Sequence, residues 1–185
     1  NGEEVSLLRG IRPGRSSHFK VRVLHPCQPR PEDICIEDIA HSLARICRFT
    51  GHIKSNKIYS VAQHSVMVSR ICKSAKHGLL HDASESVTND LSSPLKRSGR
   101  VPDFIAIEKK NQSMIYAKYG LAPVEPADVK EADLIMLATE AVNLMSPLHP
   151  EWHLPATPLP KKLEVWDIEE SETKFLERFH ELFQV

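Results

Sequence analysis

The sequence predicts an all-α bundle preceded by a small N-terminal strand element. Three observations carry that prediction. Apolar residues recur at three- and four-residue spacing through most of residues 36–145, and again in 168–184. Period-two alternation is confined to "HFKVRVLH", where Phe19, Val21 and Val23 alternate with Lys20 and Arg22. Most prolines and glycines fall between the periodic stretches and punctuate them. A chain of 185 residues is most economically one domain, here residues 36–185, with 1–35 as an irregular segment packing on it.

The elements follow in order. Residues 1–34 are broken by Gly2, Gly10, Pro13, Gly14, Pro26, Pro29 and Pro31. A first helix runs from Ile36 through Ile39, Ala40, Leu43, Ile46 and Cys47 to Gly51. Glu32, Asp33, Glu37 and Asp38 lie near its start, where the helix dipole favours acid. A second helix opens at "YSVAQHSVMVSRICKSA" with Ser60 as its N-cap. "HGLLHDASES" reads as a short third helix stopped by the turn "TND". Pro102 begins a fourth and Gly120 stops it. The fifth, "EPADVKEADLIMLATEAVNLM", is apolar through Leu134, Ile135, Leu137, Ala138, Ala141, Val142 and Met145. Prolines exclude a helix from most of 146–167, and 168–184 closes the chain as an amphipathic helix.

Composition narrows the function classes. With 24 basic and 24 acidic residues the formal charge is zero, which argues against a protein that coats nucleic acid. No apolar run approaches the roughly 18–20 residues that span a bilayer. Cys27, Cys35, Cys47 and Cys72 show no C-x-x-C spacing and read as buried free thiols of a reducing, cytoplasmic compartment.

The chemistry concentrates in "HGLLHDASESVTNDLSSPLK" (77–96), which joins His81 and Asp82 to Glu85, Asp90 and Lys96. On a helix, adjacent residues point about 100° apart, so His81 and Asp82 reach one ion only if it sits in the wedge between them. Glu85, four residues after His81, shares its face. A divalent metal prefers four or more ligands. The candidates elsewhere are His64, midway along an apolar helix, and Asp133, at the front of the most apolar one. Two readings of Asp133 stand at this level: a paired or metal-bound buried carboxylate, or the polar first turn of its helix. His41, His52, His149 and His153 read as structural or incidental.

Taken together, "DIAHSLARICRFTGH", "YSVAQHS", "LLHDASESVTNDLSSPLK" and "EADLIMLATE" resemble the HD-domain metal-dependent phosphohydrolases. Within these the chain is most similar to bacterial and phage 5′-deoxynucleotidases and phage dATP triphosphohydrolases. The likeness covers roughly residues 36–145. It implies an HD-type helical bundle and one divalent ion (Co, Mn, Zn or Mg) on His64, His81, Asp82 and Asp133. It places Glu85 and Asp90 as the acidic pair beside the attacking water. Arg48 and Phe49, at the end of the first helix, become the substrate-contacting pair, with phenylalanine where some relatives carry tryptophan. Lys96 becomes a phosphate contact.

The activity so implied is hydrolysis of 5′-nucleotides, foremost release of phosphate from deoxyribonucleoside monophosphates. Release of triphosphate from a dNTP is the first alternative, with Lys54, Lys57, Arg97 and Arg100 as outer cations. A non-catalytic nucleotide-binding regulator is the second. The expected partners are a small-molecule nucleotide and further copies of the chain, as a dimer or a larger ring. No membrane or nucleic-acid polymer is expected.

Overall fold

The computed structural model describes residues 7–9, 22–145 and 147–184. It is all-α apart from one antiparallel ribbon, in which β1 (Leu7–Arg9) pairs with β2 (Arg22–Leu24) with Leu8 opposite Val23. Residues 18–21 of the expected strand lie outside the described residues; its last part is β2. The segment after β2 docks on the helix Pro102–Lys118: Asn111 Nδ2 donates to the Pro26 carbonyl at 2.8 Å and Lys110 Nζ to that of Cys27 at 3.0 Å. Glu32 and Asp33 occupy a separate 3₁₀ turn, Pro31–Asp33, two residues short of the first α-helix.

The helices are α1 (Ile36–Leu43), α2 (Val61–Ile71), α3 (Ala75–Leu80), α4 (Glu85–Thr88), α5 (Ser93–Arg97), α6 (Pro102–Lys118), α7 (Ala127–Leu144) and α8 (Ile168–Phe183). Helix α2 is the axis of the bundle, contacted by α1, α3, α7 and α8. Ser60 caps it as expected, its hydroxyl accepting from Gln63 N at 3.1 Å. Leu43, Val61, Val66, Leu79, Leu80 and Phe175 are fully enclosed around it. Gly78 lets α3 approach closely: a Cβ there would lie 2.4 Å from Cys72 Sγ and 3.1 Å from Ser69 Cα.

Two expectations are corrected. The first helix stops at Leu43, not Gly51, although Ile46 and Cys47 continue its apolar spacing. The chain there pairs with the segment before α2: Arg48 N donates to Tyr59 O and Val61 N to Ile46 O, each at 2.9 Å. Those backbone groups are thereby taken from any continuing helix. The cysteines are free thiols but not buried, since Cys27 is exposed and Cys35, Cys47 and Cys72 are partly so. Helix α7 turns inward a line through Val129, Ala132, Met136, Glu140 and Leu144, while Leu134, Ile135 and Leu137 are half-buried and Val142 is exposed. In α8, Phe175 and Phe179 enter the core, and Phe183 stacks on Phe179 with ring centres 4.4 Å apart.

Candidate metal centre

Helix α2 carries His64 into the middle of the bundle, where its side chain is wholly buried. Helix α7 brackets that ring from one side. Asp133 and Glu140 are seven residues apart, two turns on one face. Asp133 Oδ1 lies 3.3 Å from His64 Nε2, and Glu140 Oε1 lies 2.5 Å from His64 Nδ1. Glu140 therefore holds the Nδ1 proton and leaves the Nε2 lone pair facing inward.

His81 arrives from the end of α3. It and Asp82 are not within a helix, contrary to the expectation of one continuous segment to Ser86. Helix α3 ends at Leu80, and the following residues bond at i,i+3 spacing, as in Ala83 N to Leu80 O and Glu85 N to Asp82 O, both 3.0 Å. A 3₁₀ chain has three residues per turn, so side chains at i and i+3 eclipse. The partner that Glu85 shares a face with is therefore Asp82, not His81. His81 Nδ1 donates to the Gly78 carbonyl at 2.9 Å, which again turns Nε2 towards the centre.

The two Nε2 atoms meet at 3.3 Å, and Asp82 Oδ2 is 3.2 Å from that of His81 and 3.7 Å from that of His64. Bonds of about 2.1 Å to one ion place neighbouring ligand atoms roughly 3.0–3.4 Å apart in octahedral or tetrahedral arrangements. The separations of 3.2 and 3.3 Å fit that spacing, and the 3.7 Å between Asp82 and His64 is somewhat longer. Two imidazole lone pairs face each other beside carboxylates, an arrangement that requires a proton or a cation. His64, His81 and Asp82 thus form a cluster that can hold a metal ion, with Asp133 beside it.

The electrostatics of the chain alone agree. Burial works against a charged His81, but Asp82 more than offsets it and the imidazole is pushed up to about 9. Burial and Arg48 push His64 down; Glu140 and Asp133 outweigh them and its net shift is upward. Burial would raise both Asp82 and Asp133, yet the imidazoles hold the two carboxyls well below the usual range. Glu85 goes the other way, pushed up to about 10 by burial and by the nearby charges of Asp82 and Asp90. Its Oε2 is buried and has no hydrogen-bond partner among the described residues. Asp90 is less enclosed and is raised chiefly by desolvation.

Three cations border this group. Lys96 Nζ sits 3.7 Å from Glu85 Oε1 and is anchored by Glu108 Oε1 at 2.6 Å. Lys130 Nζ holds the outer oxygen of Asp133 at 2.8 Å. Arg48 is not at a helix end; it begins the turn Arg48–Gly51, in which Phe49 and Thr50 both have left-handed backbone angles (φ 54° and 53°). Its Nε and Nη2 lie 3.2 and 3.1 Å from Glu140 Oε2, and its Nη1 lies 3.7 Å from Asp82 Oδ2. Phe49 packs alongside, its ring centre 5.6 Å from the Arg48 guanidinium carbon.

All nine residues singled out in the sequence thus surround one point or border it. Glu140 and its second donor Tyr59, 2.9 Å away through its hydroxyl, were not singled out. The available signal was a glutamate inside "LIMLATEAV", the most apolar run of α7. Of the remaining histidines, His41 bridges α1 to Glu172 of α8 at 3.1 Å, and His52, His149 and His153 are exposed.

No family model matches the chain. It is similar to the uncharacterized protein YfdR of Escherichia coli (strain K12), 49% identical over 115 residues, which are 61% of this chain and 62% of that one. It is also similar to the uncharacterized protein RCAP_rcc00048 of Rhodobacter capsulatus, 36% identical over 121 residues, 60% of this chain and 61% of that one. The chain therefore spans about three fifths of the length of these curated relatives. No helix among the described residues is long and apolar enough to cross a membrane.

Proposed function

We propose that the chain is an HD-type, metal-dependent phosphohydrolase acting on 5′-nucleotides, foremost deoxyribonucleoside monophosphates. The observation that carries this reading is the meeting of two imidazole Nε2 atoms at 3.3 Å between the carboxylates of Asp82 and Asp133. A buried carboxyl with a free oxygen, Glu85, stands directly beside them.

His64, His81, Asp82 and Asp133 would hold the ion. A divalent cation bound there supplies Lewis acidity to a water and to a phosphate oxygen. The chain's own residues do the rest. The charge of that cation would draw Glu85 back to its ionised form, and its Oε2, which has no hydrogen-bond partner among the described residues, would then receive and orient the proton of the attacking water. Asp90, less enclosed than Glu85, is the second acid of the pair and in its protonated form would supply the proton that the leaving 5′-oxygen takes up. Lys96, immobilised by Glu108, meets a phosphate oxygen as a point charge. Arg48 offers the Nη1 edge of its guanidinium, the other edge being engaged by Glu140. Phe49 supports the substrate through its ring.

The cations within the cluster suit one phosphate. Lys54, Lys57, Arg97 and Arg100, the outer cations that a triphosphate would call on, are exposed surface residues. The test is turnover of a panel of dNMPs and dNTPs by protein reconstituted with Mn, Co, Mg or Zn, with phosphate release resolved from triphosphate release. Phosphate release from monophosphates is the expected result. Triphosphate release would move the cut, and no turnover under any of the four metals would sink the proposal.

A further inference from the structure

The carboxylate that ties the centre together is one the proposed chemistry does not use. Glu140 is completely buried, and each of its oxygens is engaged. Oε1 accepts from Tyr59 OH at 2.9 Å and from His64 Nδ1 at 2.5 Å. Oε2 accepts from Arg48 Nε and Nη2 at 3.2 and 3.1 Å. A buried charge persists only where it is paired and hydrogen-bonded, and among the described residues Arg48 is the guanidinium that pairs with it.

This places one rigid group between two parts of the site that different segments supply. His64 belongs to α2 and Arg48 to the turn before it, 16 residues earlier in the chain, and Glu140 hydrogen-bonds both. Asp82 also lies between them but at 3.7 Å from each, whereas Glu140 is in hydrogen-bond contact with both. From these contacts we infer that Glu140 is a positioning residue which fixes the His64 ring for the metal and the Arg48 fork for the phosphate in one stroke. The inference rests on the phosphohydrolase reading of the centre.

Two consequences follow from the geometry. Arg48 has committed its side-on edge, Nε and Nη2, to Glu140, so its grip on an anion is confined to the end of the fork, through Nη1 and the remaining Nη2 hydrogen. A side-on grip through Nε would require Arg48 to leave Glu140 and strand a buried carboxylate, which the desolvation cost opposes. Disturbing the Arg48–Glu140 pair should also be felt at the metal, because the same carboxylate holds the His64 proton.

The test uses Co²⁺ and inorganic phosphate as probes on the full chain. Co²⁺ affinity and the visible spectrum of the Co²⁺-loaded protein are measured for the parent, Glu140→Gln and Arg48→Lys, followed by phosphate affinity of each loaded form. Glu140→Gln is expected to weaken Co²⁺ binding about 10–100-fold, the usual effect of losing an outer partner of a metal-bound histidine, and to alter the spectrum. Phosphate affinity should fall in the same variant, although Glu140 carries the wrong charge to touch phosphate. Should Glu140→Gln not fold, Arg48→Lys decides: it keeps the charge near Asp82 but removes the fork from Glu140, and the Co²⁺ spectrum is expected to shift. An unchanged spectrum with Co²⁺ affinity within about threefold of the parent, in whichever variant folds, overturns the inference. A parent that binds no Co²⁺, Mn²⁺ or Zn²⁺ overturns the metal reading itself, a result distinct from a parent that binds and variants that do not differ.

Discussion

Replacing Gly78 by alanine perturbs the point at which α3 lies against α2, and with it the height at which His81 meets His64. An added Cβ would stand 2.4 Å from Cys72 Sγ and 3.1 Å from Ser69 Cα. The first contact is cheap to relieve, because a half-buried thiol can rotate away. The second is not, because Ser69 Cα is backbone of α2. Helix α3 must therefore retreat by a few tenths of an ångström. Overpacking of this kind costs about 1–3 kcal/mol, while the better helix propensity of alanine returns about 1 kcal/mol. The net expectation is a loss of about 1 kcal/mol, or about 2–4 °C in Tm for a domain of this size. The retreat also carries the Gly78 carbonyl, which orients His81 through Nδ1, so Co²⁺ affinity should drop along with stability. Urea unfolding and Co²⁺ titration measure the two effects. Cys72→Ala in the same background removes only the thiol contact and should restore less than the whole loss. If Gly78→Ala proved more stable than the parent and bound Co²⁺ equally well, the reasoning from close packing would be refuted.

Other expectations separate the roles within the centre. Asp82→Ala should abolish stoichiometric metal binding, whereas Glu85→Ala should keep metal content near that of the parent and lose turnover; metal analysis of dialysed protein beside a phosphate-release assay tells them apart. Glu108→Gln should raise KM about threefold to tenfold and lower kcat by less, because it releases Lys96 from its anchor while Lys96 keeps its second contact, Glu85. At the α1–α8 junction, burial would raise Glu172, but Arg45 and His41 hold it below its ordinary value. The stability this provides is therefore complete above the ordinary glutamate range and is lost as pH falls through the depressed value. Glu172→Gln should cost about 1 kcal/mol at pH 7 and flatten the stability curve below roughly pH 4.5, as read by urea unfolding between pH 3 and 7. An acid limb as steep as the parent's would argue against that ion pair.

Much of this centre could be read from residue order because its ligands are strong local signals. A histidine inside an apolar helix and an adjacent His-Asp pair are conspicuous in one dimension, and the Ser60 cap marks the start of α2 without ambiguity. What escaped was set by partners far away in the chain. Helix α1 ends early because residues near 59–61 take the backbone groups that its apolar spacing would have used. The tightening after Leu80 cannot be told from continued α-helix by side-chain pattern, since three- and four-residue spacings coincide over so short a run. Glu140 stayed hidden for a similar reason: its donors lie 76, 81 and 92 positions earlier, and its one local signal, an acid inside the most apolar run of α7, does not say which groups it meets.

The turn that delivers Arg48 has a consequence for when its ordering is accomplished. Two successive residues with side chains, Phe49 and Thr50, sit in the left-handed region, where each such residue costs on the order of 1 kcal/mol or more. That free energy is spent when the chain folds, before any ligand arrives. An anion bound as proposed would meet a guanidinium whose loop had been ordered during folding, so that less ordering would remain to oppose binding. The burden falls on thermal stability instead, at Thr50, whose side chain is exposed. Glycine at position 50 would lift that burden, and by the same act return to the loop the freedom that Arg48 now does without.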